Sequence, residues 1–142
     1  MTIAKVIDVG EREIFTCQAS ATVEEAARIL SDRRIGALPV FEGGRLVGIF
    51  SERDLLYSVA REGAAALYKR VSEVMTAPAI TVAPETGALD ALSLMTRRRI
   101  RHLPVEHGGQ VVAFLSIGDL VKYRIDLIET EAEQMREYIQ TA

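Results

Sequence analysis

The sequence is poor in the residues that build covalent cross-links and metal sites. Its 142 residues include one cysteine, two histidines and no tryptophan. Cys17 has no second cysteine with which to form an intramolecular disulfide, so nothing points to an oxidising compartment. His102 and His107 lie five positions apart, without the Cys-x-x-Cys or His-x-x-x-His spacing of a zinc site. We therefore expect a cytoplasmic protein that binds no metal.

Long apolar runs and an excess of positive charge are also missing. No run approaches the roughly 20 apolar residues of a membrane-spanning helix, and the start at Met1–Asp8 lacks the pattern of a signal peptide. The 17 lysines and arginines are outnumbered by 20 acidic residues, which gives a net charge of -3. Because no positive field surrounds such a chain, we expect it to bind neither nucleic acid nor a membrane.

The sequence shows no catalytic set. We find no nucleophile, base and orienting group that the chain would bring together. Gly43 and Gly48 have the glycine spacing of a P-loop, but Ile49 and Phe50 follow where a P-loop requires lysine and a hydroxyl residue. A hydrophobic fraction of 49% is nevertheless ample for a folded core. We expect a globular protein that is not an enzyme.

An internal repeat organises the chain. An ungapped offset of 65 residues aligns Val6–Leu55 with Val71–Leu120 and gives 16 identities in 50 positions, where unrelated sequences would give about 3. Twelve of the sixteen lie between Arg33 and Leu55. The alignment predicts a first repeat at 6–55, a helical connector at 56–70, a second repeat at 71–120 and a C-terminal helix at 121–142.

The first half of each repeat predicts a short strand and a helix. Ile14–Cys17 and Ala79–Val82 are β-prone runs, and apolar residues at i, i+3, i+4 and i+7 follow each of them. Thr22 with Glu25 forms a capping box for the first helix, and Thr86 is the expected cap of the second. The spacing therefore predicts one amphipathic helix in each repeat.

The second half of each repeat predicts a hairpin and another helix. Two apolar runs flank a Gly-Gly pair, which indicates a tight turn. Pro39 and Pro104 lack an N–H, so the first hairpin strand should start at the proline or lie at a sheet edge. Ser51-x-x-Asp54 and its equivalent then open a helix. Since one β-α-β-β-α repeat buries too little surface alone, we expect an α/β fold of two repeats about a pseudo-two-fold axis.

The C-terminal helix carries an apolar stripe with heptad spacing. Its members alternate steps of four and three residues, and they are Val121, Ile125, Ile128, Ala132, Met135 and Ile139. One interpretation is a helix packed on its own repeat, and the other is a helix that pairs with a second subunit.

The repeated pattern resembles a known family. Ile-x-x-Leu-Pro-Val at 35–40 and 100–105, the Gly-Gly turn, and a strand ending in Gly-x-x-Ser-x-x-Asp are similar to a tandem pair of CBS domains, named after cystathionine beta-synthase. The run Val-Met-Thr-x-Pro-x-Ile-x-Val at 74–82 adds to the resemblance. It covers about residues 6–120. It implies a free-standing, non-enzymatic module with two clefts that bind adenosine nucleotides and report energy or redox state to a partner protein. It also implies a homodimer.

The resemblance assigns a polar set to each cleft. By that resemblance Asp54 and Asp119 hold the ribose diol, and Ser51 and Ser116 reach ribose or phosphate. Each Ser-x-x-Asp is also an ordinary helix N-cap. The two roles are compatible, because exposed amides at a helix N-terminus suit a phosphate group.

Gly48 distinguishes the two expected clefts. A residue without Cβ lets a ligand approach the backbone closely, and the resemblance gives Gly48 this role. The second repeat has Ala113 at the equivalent position, a departure that puts the second cleft in doubt. A glycine that merely ends a strand explains Gly48 equally well.

The resemblance also assigns side chains to the adenine base and to the phosphate. Thr16, Ile80 and Thr81 are expected beside the adenine ring, although their β-propensity is an explanation by itself. Arg99 and Arg101 are the candidates for phosphate, although cations also complement a helix C-terminus. The arginines favour AMP, ADP, ATP or NAD over S-adenosylmethionine.

Two alternatives to a nucleotide sensor remain open. The first is a ligand-free interaction module with vestigial clefts, which Ala113 supports. The second is a small hydrolase or phosphotransferase, for which the sequence offers no catalytic set. The sequence does not name the protein partner.

Overall fold

The computed structural model describes residues 2–8 and 13–141. The helices are α1 (Ile3–Asp8), α2 (Val23–Arg33), α3 (Glu52–Glu62), α4 (Val71–Val74), α5 (Ala88–Arg98) and α6 (Ile117–Thr141), with a 3₁₀ helix at Gly63–Tyr68. The strands are β1 (Cys17–Gln18), β2 (Ala37–Glu42), β3 (Arg45–Ser51), β4 (His102–His107) and β5 (Gln110–Ser116). This mixed α/β order confirms the expected fold class.

The described residues form two compact units whose boundaries differ from those of the sequence repeats. The short helix at the start of each repeat belongs to the other repeat's unit. One unit comprises residues 13–81, and the other comprises residues 2–8 with 82–141. Helix α1 lies at the start of the first repeat but belongs to the second unit, where the Ile3 N–H donates to the Thr86 carbonyl at 2.8 Å. Helix α4 belongs to the first unit, where the Val71 N–H donates to the Ala21 carbonyl at 2.8 Å. Each unit therefore contains a short helix held by the turn before its long helix.

The first unit, residues 13–81, is built on a three-stranded sheet in the order β1-β2-β3. Strand β1 runs parallel to β2, which is antiparallel to β3. The core combines alternate strand residues with the inner stripe of α2. Its buried members are Cys17, Ala19, Val23, Ala26, Leu30, Leu38, Val40, Phe50 and Val71.

The proline in the hairpin lies inside a central strand, so the expectation of a strand start or an edge is wrong for β2. Strand β2 begins at Ala37 and lies between β1 and β3. Pro39 faces Ile49, whose N–H and carbonyl are both paired with Thr76 at 2.9 Å. Pro39 is thus in a non-hydrogen-bonded pair, and its nitrogen faces the side of β1. Strand β1 pairs only beyond the proline, so no ladder hydrogen bond is lost.

The second unit, residues 2–8 and 82–141, repeats this topology with a shorter first strand. Strands β4 and β5 form an antiparallel pair, and Val82 makes a single parallel bridge to Val105. Helix α5 precedes the hairpin and α6 follows it. The buried apolar side chains are Ile3, Val82, Ala88, Ala91, Met95, Leu103, Val105, Leu115 and Leu120.

The two long helices of the repeats start differently. In α2 the Thr22 hydroxyl accepts from the Glu25 N–H at 3.1 Å, and the Glu25 carboxylate accepts from the Thr22 N–H at 3.2 Å. The predicted capping box is confirmed. The cap predicted at Thr86 is wrong, because α5 is capped by Gly87 without a side-chain hydrogen bond. The Thr86 hydroxyl instead accepts from the Ala83 N–H at 3.1 Å.

The hairpins close through the predicted glycine pairs. Gly43 and Gly44 have φ values of 57° and 77°, and Gly108 and Gly109 have 59° and 79°. Two successive residues with positive φ match the turn that the twist of a hairpin favours, and only glycine adopts both conformations without strain.

Helix α6 is the longest element of the structure, with 25 residues. Its first turns pack on the second unit through Leu120, which is buried. The apolar stripe predicted from the heptad spacing is exposed on the described helix. None of the helices formed by residues 2–8 and 13–141 is long and apolar enough to span a membrane.

Candidate functional site

The strongest candidate site lies where β3 runs into α3. The Ser51 hydroxyl accepts from the Asp54 N–H at 3.2 Å and caps the helix. One carboxylate oxygen of Asp54, Oδ2, accepts from the Ser51 N–H at 2.9 Å and from its hydroxyl at 3.1 Å. This reciprocal box holds the carboxylate at the N-terminus of α3, where the helix dipole favours a negative charge.

Thr76 completes the arrangement and was not identified from the sequence. Its hydroxyl donates to the other carboxylate oxygen of Asp54, Oδ1, at 2.9 Å. The two residues are 22 positions apart, and the bridge between Ile49 and Thr76 brings them together. The Val-Met-Thr-x-Pro run contained Thr76, but no local spacing links it to Asp54. Only the strand pairing shows the contact.

The carboxylate of Asp54 retains capacity for a ligand. Two carboxylate oxygens offer about four acceptor positions, and three donors occupy Asp54. Asp54 is half-buried, whereas Thr76 is exposed. A vicinal diol needs two acceptor positions, so it would take the remaining position and displace the Thr76 hydroxyl, which can turn to water.

Gly48 is buried against the protein's own chain. A Cβ placed on Gly48 would lie 2.8 Å from the Thr76 carbonyl oxygen and 2.7 Å from the Met75 sulfur. The close approach at this position is therefore made by Met75 and Thr76. This packing requires glycine independently of any ligand, so Ala113 in the second unit is not by itself an argument against a second site.

The second unit repeats the box at the start of α6. The carboxylate of Asp119 accepts from the Ser116 N–H at 2.8 Å, and the Ser116 hydroxyl accepts from the Asp119 N–H at 3.1 Å. The Arg101 carbonyl accepts from the Ile117 N–H at 2.8 Å. The structure thus brings Arg101 to the N-terminus of α6. Gly36 accepts from Glu52 at the same place in the first unit.

Arg99 caps the C-terminus of α5 in a left-handed conformation, with φ 54° and ψ 41°. Arg34 ends α2 in the same way, with φ 54° and ψ 48°. Glycine is the usual residue at such a cap, because a Cβ is strained there. Both arginines are exposed. Arg99 lies two residues before Arg101 and on the chain that leads into β4.

The residues expected beside the adenine ring lie in the first unit. Thr16 is exposed and immediately precedes β1. Ile80 and Thr81 are partly buried at the end of the unit. Within residues 13–81 the structure groups Gly48, Ser51 and Asp54 with Thr76, whereas the adenine-side residues stay a prediction.

The remaining titratable candidates show no metal chemistry. Among the described residues no three histidine, cysteine or acidic side chains gather in a way that would hold an ion. Cys17 is buried in the core of the first unit, and desolvation raises its pKa to about 11. Its thiol therefore stays protonated at neutral pH and takes no part in the site.

The family comparison agrees with this geometry. The model of the CBS domain matches twice, at residues 6–61 and 71–126. These two matches cover most of the chain.

Relatives share a third of the sequence over much of its length. CBSX3, a mitochondrial CBS domain-containing protein of Arabidopsis thaliana, is 36% identical over 87% of this chain and 63% of its own length. YhcV of Bacillus subtilis is 30% identical over 83% of this chain and 84% of its own length. The chain therefore spans less than two thirds of one of these relatives and most of the other.

Solved structures share the fold. The CBS-domain protein ATU1752 of Agrobacterium tumefaciens is 36% identical, with a TM-score of 0.83, over 87% of this chain and 92% of its own. CBSX2, solved in complex with AMP, is 25% identical, with a TM-score of 0.75, over 89% and 97% of the two chains. The CBS pair of MJ0100, at 23% identity and TM-score 0.76, was solved with methylthioadenosine and S-adenosylmethionine.

Proposed function

Because the chain belongs to the CBS-domain family, we propose that it is a non-enzymatic regulator that binds an adenine nucleotide and reports its level to a partner protein. The observation that carries the proposal is the Ser-x-x-Asp box that opens α3 and opens α6 again. Each box presents a carboxylate at a helix N-terminus, the positive end of the helix dipole. One neighbour of similar fold binds AMP, which supports a ligand of this class.

In the first unit we assign Asp54 to the ribose diol. A carboxylate accepts hydrogen bonds from both hydroxyls of a diol, and the positive end of the α3 dipole suits an adjacent phosphate. Ser51 supports the carboxylate, and Gly48 supports it indirectly because it lets the chain at Thr76 pack against β3. Thr16, Ile80 and Thr81 are proposed to border the adenine ring.

In the second unit we assign Asp119 and Ser116 the same roles, with a cation added. Arg101 enters beside the N-terminus of α6, and Arg99 lies on the same connecting segment. Guanidinium groups bind phosphate through paired hydrogen bonds. This charge favours AMP, ADP, ATP or NAD over S-adenosylmethionine, whose sulfonium is positive. We expect no metal, a cytoplasmic location and a homodimer.

The direct test is a thermal-shift and calorimetry panel with AMP, ADP, ATP, NAD and S-adenosylmethionine, and adenosine as the control without phosphate. Ligand at about 100 times its Kd should stabilise the fold by about 2.7 kcal/mol. Asp54→Asn and Asp119→Asn should each weaken binding at their own site by about ten-fold or more. Glu25→Gln is the matched control, since it alters a capping box with no proposed ligand.

Two results would separate the alternatives. If none of these compounds at millimolar concentration moves the melting temperature, the ligand-free interaction module is the better description. If Glu25→Gln lowers affinity as much as Asp54→Asn does, the loss reflects helix stability, and Asp54 does not contact the ligand.

A further inference from the structure

The exposed face of α6 supports an inference that does not depend on the nucleotide site. Six apolar residues form the α6 stripe, and they are Val121, Ile125, Ile128, Ala132, Met135 and Ile139. In the structure all six are exposed. Exposure increases along the helix, from 43% at Val121 to 61% at Met135 and 68% at Ile139. Leu120, which lies outside the stripe, packs the helix on its own unit instead.

Three heptads of exposed apolar residues on a helix of 25 residues match the seam of a coiled coil. In heptad notation Ile125, Ala132 and Ile139 occupy a positions, and the other three members of the stripe occupy d positions. Continuous burial of such a stripe needs a partner helix of the same period. A second copy of this chain provides one.

The charges beside the stripe identify the arrangement. The g positions hold Arg124 and Glu131, and the e positions after them hold Glu129 and Arg136. In a parallel, in-register pair each g residue meets the e residue five positions further along the partner. Arg124 then meets Glu129 and Glu131 meets Arg136, so all four contacts of the dimer join opposite charges.

Antiparallel pairing explains the stripe less well. The antiparallel register centred on residue 130 brings Glu129 against Glu129 and Glu131 against Glu131, which is repulsive. The register centred between Ile125 and Ile128 has favourable charges. However, it sets Met135 opposite Gly118 and carries Ile139 past the start of the partner helix, so the two most exposed residues gain no apolar partner.

The four charged residues are available for pairing between subunits. Within the described parts of the chain, the ion pairs found are Arg28 with Glu24 and Lys69 with Glu62. Glu129, Glu131 and Arg136 are exposed, and Arg124 is half-buried. We propose that the homodimer expected above is formed by the α6 stripes of the two copies, which pair as a parallel, in-register coiled coil.

Disulfide trapping tests the parallel register on the full chain. Met135→Cys should form a cross-linked dimer under mild oxidation, because residue 135 of both copies lies in the same layer and within disulfide reach. Glu137→Cys, on the outer face, is the matched control and should stay uncross-linked. Wild type should also stay uncross-linked, because Cys17 is buried and its thiol is protonated. Two residues at 135 would be about 25 Å apart in the antiparallel register centred between Ile125 and Ile128, and about 15 Å apart in the register centred on residue 130.

Charge reversal tests the same register without oxidation. By sedimentation, wild type should weigh about 31 kDa, twice the chain mass of 15.6 kDa. Glu131→Arg should weaken the dimer by about ten-fold, since attraction becomes repulsion at both symmetric contacts. Adding Arg136→Glu should restore it, whereas adding Arg124→Glu should not. Thr130→Asp, on the outer face, is the control and should leave the dimer intact.

Three results would overturn the proposal. They are a monomer at 100 µM protein, no cross-link at Met135→Cys, and rescue of Glu131→Arg by Arg124→Glu, which is the antiparallel outcome. Ile128→Asp with Ile139→Asp provides an independent check. Both residues are exposed, so the double variant should fold as a monomer, and an unchanged dimer would place the interface elsewhere.

Discussion

The two units of this protein differ at the positions where their surroundings differ. Both use the Leu-Pro-Val strand, the Gly-Gly turn and the Ser-x-x-Asp box. Gly48 of the first unit touches Met75 and the Thr76 carbonyl, whereas the second unit has Ala113 at this place. Arg101 stands beside the box of the second unit where the first has Gly36. Residues that are identical in the two repeats thus form the same backbone features in both units. Residues that differ between the repeats lie where different groups pack against that backbone.

The largest expected loss of stability comes from truncating a core side chain, and the same truncation in both units tests whether the two cores are equivalent. Phe50 and Leu115 occupy equivalent positions and are both buried. Phe50→Ala should lower the free energy of unfolding by about 3–5 kcal/mol, and Leu115→Ala by about 2–5 kcal/mol, because each leaves a cavity. Urea denaturation measures both. A loss below 1 kcal/mol in either variant would contradict the assignment of that side chain to a core.

Gly48→Ala should lower the stability of the protein much more than Ala113→Gly does. Gly48→Ala forces a methyl group against the Thr76 carbonyl, and overpacking of this kind lowers stability by about 1–3 kcal/mol. Ala113→Gly, the matched change, removes only a methyl group and should destabilise by about 0.5–1 kcal/mol. Equal losses in the two variants would show that Met75 and Thr76 do not crowd Gly48.

The helix caps offer a second comparison. Thr22→Ala removes the hydroxyl that accepts from the Glu25 N–H, although the backbone N–H of residue 22 still donates to Glu25. The change should destabilise the protein by about 1 kcal/mol. Gly87→Asp places a side-chain acceptor at the cap of α5 and should stabilise it by a few tenths of a kcal/mol. Thermal unfolding of the two variants measures both changes. An unchanged melting temperature for Thr22→Ala would mean that the box contributes nothing measurable.

The buried thiol makes the first unit sensitive to alkaline pH. Burial raises the pKa of Cys17 from 9.0 to about 11. The unfolded chain therefore loses this proton first, so the stabilisation is complete below pH 9 and is lost as the pH rises towards 11. At pH 10 the loss should be about 1 kcal/mol. Cys17→Val, which copies the buried Val82 of the second unit, should flatten this part of the pH profile of urea unfolding.

Substitution of the two arginines that end α2 and α5 distinguishes an effect on stability from an effect on ligand binding. Replacing Arg34 or Arg99 by glycine relieves a left-handed residue, and each change should stabilise the protein by about 0.5–1 kcal/mol. Only Arg99→Gly should also weaken nucleotide binding, because Arg34 is not among the proposed ligand residues. Equal affinities of the two variants in calorimetry would remove Arg99 from the phosphate site.

Features formed by residues close in sequence could be predicted, and these include much of the fold and the Ser-x-x-Asp part of the candidate site. The Thr22 and Glu25 box, the glycine turns and the two Ser-x-x-Asp boxes depend on residues within a few positions of one another. The cap at Thr86 was wrong because the position equivalent to Thr22 is Gly87. Pro39 was misjudged because the length of β1, which no pattern near the proline encodes, determines which backbone groups need a partner.

The sequence by itself determined the duplication, the order of elements and the carboxylate at the start of α3 and α6, because these follow from periodicity and from hydrogen bonds over short separations. Only the tertiary structure decided that Thr76 holds Asp54, that Gly48 makes room for the protein's own chain, and that the α6 stripe is exposed. These three depend on segments far apart in sequence. Their meeting is determined by strand pairing and core packing, which no local pattern of residues specifies.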